Sequence, residues 1–353
     1  MKRREFMKTS IASLAAAVCQ ASSASASKVK PAGRLKFCVF SDIHYNPGVW
    51  PHGEKEYLDR ILKRAKDGGS DFIIQLGDFT HRVDRQLELD YIHRYNTCGI
   101  PAYHVLGNHD GERGEGGYRL AMEKYGMPSS HYFFDRGGWR FIVGDPNYMV
   151  VDGKYVHFEG GNLREALKQC KVKMCNCIPP EQVEWIASTI SDSPFPCVFF
   201  SHQSVERGGS VANGREIMKI FNEANRKSPG KVRLVVNGHH HCDHVSVKDD
   251  IVYLDLNSAS YAYFVKRHDK FPPEYIKNNR AAVHTVIWND PLSAEITVDE
   301  KSVRIAGSRS SFFMGVTPEA AGYRPVDDCA RQIAPMVSSF DYVKNFMYGT
   351  AAR

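Results

Sequence analysis

Five short polar clusters, each at the end of an apolar run, contain the residues of this chain best suited to chemistry. They are Asp42-Ile43-His44, Gly77-Asp78, Gly107-Asn108-His109-Asp110, Ser201-His202 and Gly238-His239-His240-His241. Carboxylate, amide and imidazole donors in this mixture suit divalent or trivalent metal ions, and two adjacent metals suit attack on a phosphate ester. The function therefore depends on whether the five clusters meet in the fold.

The elements that must position the first three clusters alternate between strand and helix. Apolar runs at 35–40, 71–76 and 102–106 predict buried strands, and helical spacing predicts helices at 54–66 and 84–97. Helical crossovers make neighbouring strands parallel, and apolar runs without alternation indicate a sheet covered by helices. Because ligands bind at the carboxyl edge of such a sheet, these clusters are expected to lie together.

The second half of the chain predicts a less regular order of elements. Its expected elements are a hairpin at 131–144, an irregular inserted loop at 146–180, a helix at 180–190, a strand at 197–200, a helix at 213–226, a strand at 232–236, and a meander of short strands around 251–256, 282–288, 293–299 and 302–307 that forms a second sheet. We therefore predict one catalytic domain at 35–310, preceded by a leader at 27–34 and followed by a C-terminal extension at 311–353.

The clusters offer ligands of several kinds. Asp42 and His44 alternate around Ile43, so both can face one side of the chain. The carboxylate of Asp78 has two oxygens and can bridge two cations, while Asn108 offers a neutral amide oxygen. Further imidazoles come from His202, His239 and His241.

In this order the clusters resemble the motifs D-x-H, G-D, G-N-H-D/E, a His, and G-H-x-H of the calcineurin-like metallophosphoesterase superfamily. The resemblance covers about residues 35–310 and implies an α/β fold of two packed mixed β-sheets flanked by helices. It implies one metal on Asp42, His44, Asp78 and His241. It implies a second metal on Asp78, Asn108, His202 and His239, with Asp78 as the bridge.

The resemblance also assigns two catalytic residues, His109 and Asp110. Two cations about 3.5–4 Å apart bind phosphate oxygens and lower the pKa of a water, so that hydroxide attacks phosphorus. His109 is then the proton donor to the leaving oxygen or a stabiliser of the phosphate. Asp110 is expected to hold the His109 ring in the required tautomer.

One departure concerns the metals and the substrate. Purple acid phosphatases carry a Tyr three residues after the bridging Asp, where this chain has His81. Zn, Mn or Fe are therefore expected, with the identities open, and His81 either supports the site, contacts substrate or lies on the surface. Tyr261, Tyr263 and Phe264 either stack a nucleobase or belong to the core.

The function predicted is that of an exported dinuclear-metal phosphohydrolase acting on small phosphodiester or nucleotide-type substrates. The Gly-Asp-Phe-Thr form of the second motif, residues 77–80, resembles the cyclic-nucleotide and ADP-ribose hydrolysing branches. The alternatives are an acid-phosphatase-like monoesterase and a non-catalytic binding scaffold of the same fold.

The N-terminus predicts export. Residues 1–26 combine the basic head Lys2-Arg3-Arg4 with a short Ala-rich apolar run and small residues before a cleavage site, and they resemble a twin-arginine signal peptide. The chain is then periplasmic or secreted, with the twin-arginine export machinery as a partner; an ordinary secretory signal is the alternative. The signal carries +3 of the formal charge of +6, so no specific nucleic-acid binding is expected.

The cysteines fit an oxidising compartment. Eight of the nine follow the signal, and Cys170, Cys175 and Cys177 are the candidates for disulfides, with a Cys-x-Cys zinc site as the alternative. Cys38 and Cys197 lie inside apolar strands and are expected to be buried thiols.

Overall fold

The computed structural model describes residues 32–47, 54–81, 84–111, 117–159, 162–169, 171–264, 271–278 and 284–344. The predicted export signal at 1–26, residues 27–31 of the leader and Cys170 lie outside the described residues. In the described ranges, no helix combines the length and the hydropathy of a membrane span.

The described strands and helices are as follows. The strands are β1 (Leu35–Phe40), β2 (Phe72–Gln75), β3 (Ala102–His104), β4 (Tyr132–Arg136), β5 (Trp139–Val143), β6 (Tyr148–Val151), β7 (Lys154–His157), β8 (Val172–Cys177), β9 (Cys197–Ser201), β10 (Val232–Asn237), β11 (His244–Lys248), β12 (Ile251–Asp255), β13 (Tyr261–Tyr263), β14 (Thr285–Ile287), β15 (Ala294–Val298), β16 (Ser302–Gly307) and β17 (Phe340–Val343). The helices are α1 (Glu54–Asp67), α2 (Arg85–Asn96), α3 (Gly117–Tyr125), α4 (Asn162–Lys168), α5 (Pro180–Ser191), α6 (Gly214–Lys227) and α7 (Pro273–Asn278).

Two six-stranded sheets form the centre of the fold. The first has the order β17-β16-β15-β1-β2-β3, and the second has the order β11-β12-β10-β9-β5-β4. Strands β1, β2 and β3 are parallel, as are β12, β10, β9 and β5, while the outer strands pair antiparallel. Both sheets are therefore mixed, as the predicted fold class requires.

Alternation along the strands produces four layers. In β1, Phe37 and Val39 pack between the two sheets, whereas Cys38 and Phe40 face the cluster that includes α1 and α2 residues. Buried side chains of α5 and α6 pack on the outer face of the second sheet. Each sheet thus buries both faces, one against the other sheet and one under helices, which explains why the strands are apolar runs.

The structure corrects two expectations about the second half. Strands β15 and β16 do not form a meander of the second sheet; β15 pairs antiparallel with β1, so both join the first sheet. The region 146–180 is not simply irregular, since β7, β6 and β8 form a small sheet. The first error concerns pairing between distant segments, which local patterns do not encode. The second is local, because β6 and β7 form a hairpin across Asp152-Gly153, a turn signal present in the sequence. The C-terminal strand β17 completes the edge of the first sheet beside β16.

The cysteines in the described ranges are free thiols, and no disulfide joins them. Cys38 and Cys197 are fully buried in β1 and β9, as predicted. The expectation of a disulfide at Cys175 or Cys177 is wrong within the described residues. Cys177 Sγ instead donates to Tyr148 O at 3.3 Å, and the Cys175 thiol contacts Asn176 Oδ1 at 3.8 Å.

Candidate metal centre

The five polar clusters follow the carboxyl ends of five strands, where the two sheets approach each other. Asp42 and His44 follow β1, Asp78 follows β2, and Asn108 follows β3. In the second sheet His202 follows β9, while His239 and His241 follow β10. The parallel direction of β1, β2 and β3, and of β9 and β10, brings these ends to one edge.

Asp42, His44 and His241 form a first group of ligand atoms. Asp42 Oδ1 lies 3.3 Å from His241 Nε2 and 3.8 Å from His44 Nε2. The three ligand atoms all lie within 4.8 Å of one another, close enough to hold one metal ion. All three residues are buried.

Asp78, His202 and His239 form a second group of the same kind. Asp78 Oδ2 lies 3.3 Å from His202 Nε2, and His239 Nδ1 lies 3.2 Å from the same nitrogen. The amide oxygen of Asn108 is also 3.2 Å from His202 Nε2. The structure thus brings together all seven of the predicted ligands.

The Asp78 carboxylate stands between the two groups. Its Oδ2 atom lies 3.5 Å from His44 Nε2, in the first group, and 3.3 Å from His202 Nε2, in the second. Its Oδ1 atom accepts a hydrogen bond of 2.7 Å from the backbone N–H of His109. One oxygen is therefore fixed by the backbone, and the other faces both groups.

Backbone carbonyls set the orientation of two imidazoles. His202 Nδ1 donates to Leu76 O at 2.7 Å, and His241 Nδ1 donates to Tyr261 O at 2.8 Å. Because a carbonyl only accepts, the proton of each neutral ring lies on Nδ1, and the lone pair of Nε2 faces the carboxylates. This is the tautomer that a metal ligand needs.

The burial and charge of the cluster fit a cation. Asp42 Oδ1 is buried and accepts no hydrogen bond, although Oδ2 of the same residue accepts from His239 N at 2.8 Å. Burial opposes the charged form of Asp42, but His202 and His241 outweigh it and hold the pKa of this carboxyl well below its usual range. Burial likewise lowers the pKa of His202, yet Asp78 and Asp42 raise it to about 10. The carboxylates therefore draw positive charge into the cluster, and a metal ion satisfies the same demand.

The backbone is bent sharply at these positions. Positive φ angles occur at Asp42 (52°), His44 (47°), Asp78 (52°), His239 (71°) and His241 (49°). Holding a residue other than glycine at such a φ angle requires a conformational strain energy on the order of 1–3 kcal/mol, and residues strained in this way are found most often at functional sites.

Close approach of two segments explains one glycine of the fifth cluster. A Cβ atom on Gly238 would stand 1.9 Å from Ser41 Oγ and 2.6 Å from Asp42 Oδ2. The absent side chain therefore lets the segment after β10 approach the segment after β1, which brings His239 and His241 to Asp42.

Residues 35–243, more than half of the chain, match the sequence profile of the calcineurin-like phosphoesterases. The chain belongs to this family. It is a metal-dependent phosphoesterase, and two metal ions are its cofactor, for which the two groups above provide candidate sites.

Comparison with solved structures finds the fold of this phosphoesterase in a protein of 14% sequence identity. A dimetal phosphatase from Danio rerio superposes with a TM-score of 0.56 at 14% identity, covering 91% of this chain and 100% of that one. A purple acid phosphatase from yellow lupin (Lupinus luteus) seeds gives a TM-score of 0.48 at 12% identity, covering 79% of this chain and 52% of that one. None of the curated proteins compared with the phosphoesterase matches it.

His109 and Asp110, the two predicted catalytic residues, lie at the metal centre, but in the described part of the chain the expected contact between their side chains is absent. The His109 ring is 27% exposed, with Nε2 3.9 Å from Asp78 Oδ2, so it lies beside the metal centre and toward solvent. Among the described residues, Asp110 receives no hydrogen bond from this ring, and the expected tautomer-fixing contact is wrong. Its carboxylate instead accepts from the backbone N–H groups of Gly107, Asp78 and Phe79 and from Tyr125 Oη.

The turn at 107–110 explains this arrangement. It folds the Asp110 side chain back beneath the loop that carries Asp78, where backbone donors are available. Asp110 therefore joins the loops after β2 and β3, and this is a positioning role for the predicted bridge.

His81 occupies the position where purple acid phosphatases carry Tyr. Its Nδ1 atom lies 3.2 Å from His44 Nδ1, and its ring centroid is 4.6 Å from that of His109. The contact is with the nitrogen of His44 that faces away from the carboxylates, so the geometry favours the interpretation that His81 supports the site.

Two of three supporting residues, Ser258 and Ser260, carry no recognisable signal in the sequence, and the third, Tyr261, was expected only to stack a nucleobase or to lie in the core. Ser258 Oγ donates to Asp42 O at 2.8 Å, and Ser260 Oγ donates to Ile43 O at 3.1 Å. The Tyr261 ring packs on His44 and His241, with centroids 5.3 and 4.7 Å away. These contacts fix the sharply bent segment after β1 from a part of the chain more than two hundred residues distant.

Proposed function

We propose that this phosphoesterase hydrolyses phosphodiesters, with nucleotide-type compounds among its substrates. The observation that carries the proposal is the position of Asp78 Oδ2, 3.5 Å from His44 Nε2 and 3.3 Å from His202 Nε2, at the junction of two groups of ligand atoms. A carboxylate oxygen shared in this way suits a bridge between two cations.

The seven residues of the two groups are proposed to hold the metals: Asp42, His44, Asp78 and His241 for one, and Asp78, Asn108, His202 and His239 for the other. When bound, the pair supplies Lewis-acid binding of phosphate oxygens and acidifies water. His109 is proposed to give a proton to the leaving oxygen, because its ring lies beside Asp78 and is open to solvent. Asp110 is proposed to keep Asp78 in place through the backbone.

The preference for diesters rests on sequence resemblance. The second motif has the Gly-Asp-Phe-Thr form at 77–80, and His81 replaces the Tyr of purple acid phosphatases. His81 contacts His44 Nδ1 rather than the carboxylates, which supports a site without a tyrosinate ligand.

Hydrolysis of bis-p-nitrophenyl phosphate and of p-nitrophenyl phosphate tests the proposal. The protein is loaded with Mn or Zn and compared with protein kept in a chelator. We expect metal-dependent turnover, with kcat/KM higher for the diester. Faster hydrolysis of the monoester would favour the acid-phosphatase-like alternative, and no hydrolysis of either ester by the loaded protein would favour a binding scaffold.

We further propose that the protein is exported through the twin-arginine pathway to the periplasm or the medium. The support is the head Lys2-Arg3-Arg4 followed by a short apolar run. Export of a folded, metal-loaded protein also suits a site built from five separate segments. Replacing Arg3 and Arg4 by Lys should retain the precursor in the cytoplasm, while unchanged export of this variant would favour the ordinary secretory route.

A further inference from the structure

Tyr263 is the most exposed Phe, Tyr or Trp side chain in the described ranges, with 54% of its surface accessible. Its neighbours on β13, Tyr261 and Ala262, are buried. Single exposed aromatics are common on protein surfaces and need no explanation by themselves. The position of Tyr263 on the strand that contacts the proposed metal ligands suggests a role for it in substrate binding.

Strand β13 begins in contact with the residues of the metal centre. Ser260, just before the strand, donates to Ile43 O, and the Tyr261 ring packs on His44 and His241. Side chains alternate along a strand, so Tyr261 and Tyr263 share a face, while Ala262 points into the core between the sheets. Tyr263 therefore lies one strand repeat, about 6.6 Å, beyond a ring that touches the ligands.

His284 holds the Tyr263 ring from one side. The two ring centroids are 5.8 Å apart with an interplanar angle of 28°, and His284 is itself anchored by backbone pairing of its carbonyl with Phe264 N at 2.7 Å. One face of Tyr263 is thus packed, and the exposure of the side chain comes from the rest of the ring. A ring held in advance loses little conformational entropy when it stacks on a ligand.

We propose that Tyr263 is the platform for an aromatic group attached to the substrate phosphate, such as an aryl ester or a nucleobase. The phosphate occupies the metal centre, and the aromatic group extends along β13 past Tyr261 to stack on Tyr263. The proposal rests on the proposed phosphodiesterase function and adds a substrate class to it. Stacking accepts any base because every base has a π-face, so Tyr263 selects aromatic groups rather than one base.

Binding of 3-phenylpropylphosphonate and propylphosphonate to the metal-loaded protein tests the platform without requiring turnover, because the three-carbon spacer lets the phenyl ring extend past Tyr261. We expect calorimetry to show that the wild type binds the phenylpropyl compound about tenfold more tightly than the propyl compound, from the stacking contribution. Tyr263→Ala should abolish this preference, and Tyr263→Phe should keep it, because Phe retains the ring. Phe133→Ala is the matched control, since Phe133 is another exposed aromatic, 43% accessible, on the edge strand β4.

Kinetics provide a second readout. In Tyr263→Ala the KM for bis-p-nitrophenyl phosphate should rise about tenfold with kcat nearly unchanged, as for a residue that contributes uniform binding. An unchanged preference for phenylpropyl over propyl in Tyr263→Ala, or no preference in the wild type, would overturn the platform. Failure of the phosphodiesterase proposal is seen separately, as absence of diester hydrolysis by the metal-loaded wild type.

Discussion

The Nδ1 atoms of His44 and His81 lie 3.2 Å apart, while His44 turns Nε2 toward Asp42 and Asp78. His81 thus fixes the orientation of a proposed ligand from behind. Because such outer partners orient ligands, His81→Ala should weaken binding of Zn or Mn by about 10–100-fold. Titration against a competing chelator measures this change.

The control for this variant is His93→Ala, at an exposed position in the last turn of α2. Equal metal affinity of the two variants and the wild type would show that the His44–His81 contact does not support the centre.

The bridging position of Asp78 predicts the loss of both metals from one substitution. Asp78→Asn removes the negative charge that lies between the two groups, so the purified variant should retain less than one metal per chain after gel filtration. Elemental analysis gives the metal-to-protein ratio. Asp290→Asn, at a partly exposed aspartate paired with Arg60, is the control and should keep the wild-type ratio. Two metals retained by Asp78→Asn would refute the bridging role.

The His109 side chain can be removed without disturbing the bridge. The hydrogen bond to Asp78 Oδ1 comes from the His109 backbone, and the ring itself is 27% exposed. His109→Ala should therefore keep the metal content while kcat falls by about 10²–10⁴-fold, the range for a lost general acid. Turnover of a metal-loaded variant is the measurement, and a wild-type rate would remove His109 from the mechanism.

Asp110 should matter for stability in the absence of metal. Its carboxylate accepts three backbone hydrogen bonds and one from Tyr125. In Asp110→Asn the amide NH2 group would face some of these N–H and O–H donors, so those hydrogen bonds would be lost. Asp110→Asn should lower the free energy of unfolding by about 2 kcal/mol or more. Urea unfolding in a chelator measures this loss, with the exposed Asp90→Asn as control. Unchanged stability together with lost activity would return Asp110 to a role at the His109 ring.

His104 predicts a pH dependence of stability away from the metal centre. This residue is buried against Tyr125, donates from Nε2 to Asn96 Oδ1 at 2.7 Å, and has a pKa that burial lowers to about 3. In the unfolded chain His104 takes up a proton near pH 6.5, whereas in the folded chain it stays neutral down to about pH 3. The stability that depends on neutral His104 is therefore fully present above pH 6.5 and is lost as the pH falls toward 3.

Between pH 7 and pH 5 the loss from His104 alone is about 2 kcal/mol. Urea unfolding of the wild type and of His104→Gln at both pH values isolates it, because the other titrating groups are common to both proteins. The wild type should lose about 2 kcal/mol more than the variant over this interval. Parallel changes in the two proteins would show that His104 titrates normally in the folded state.

The sequence was sufficient to place each of the seven predicted ligands after a buried strand, because each follows an apolar run of strand length, and to place the first three clusters at one sheet edge. The order of the motifs then related them to a family. The bends at Asp42, His44, Asp78, His239 and His241 were not predictable, since no residue type there favours positive φ as glycine does.

The supports of the site were also missed for a physical reason. Ser258 and Ser260 hold the Asp42 backbone from a distant segment, and their residue type is common in any loop. The pairing of β15 with β1, and of β17 with β16, likewise depends on long-range packing that local periodicity does not report.

The sequence left two roles open for the aromatic residues of this region, stacking on a base or packing in the core. Phe264 stacks on Tyr323 in the core, whereas Tyr263 faces solvent.

Anomalous scattering from crystals of the manganese-loaded protein tests the central claim most directly. The account predicts two peaks, one on each side of Asp78 Oδ2, with Asp42, His44 and His241 around one and Asn108, His202 and His239 around the other. A single peak, or manganese bound elsewhere while these side chains remain without metal, would contradict it.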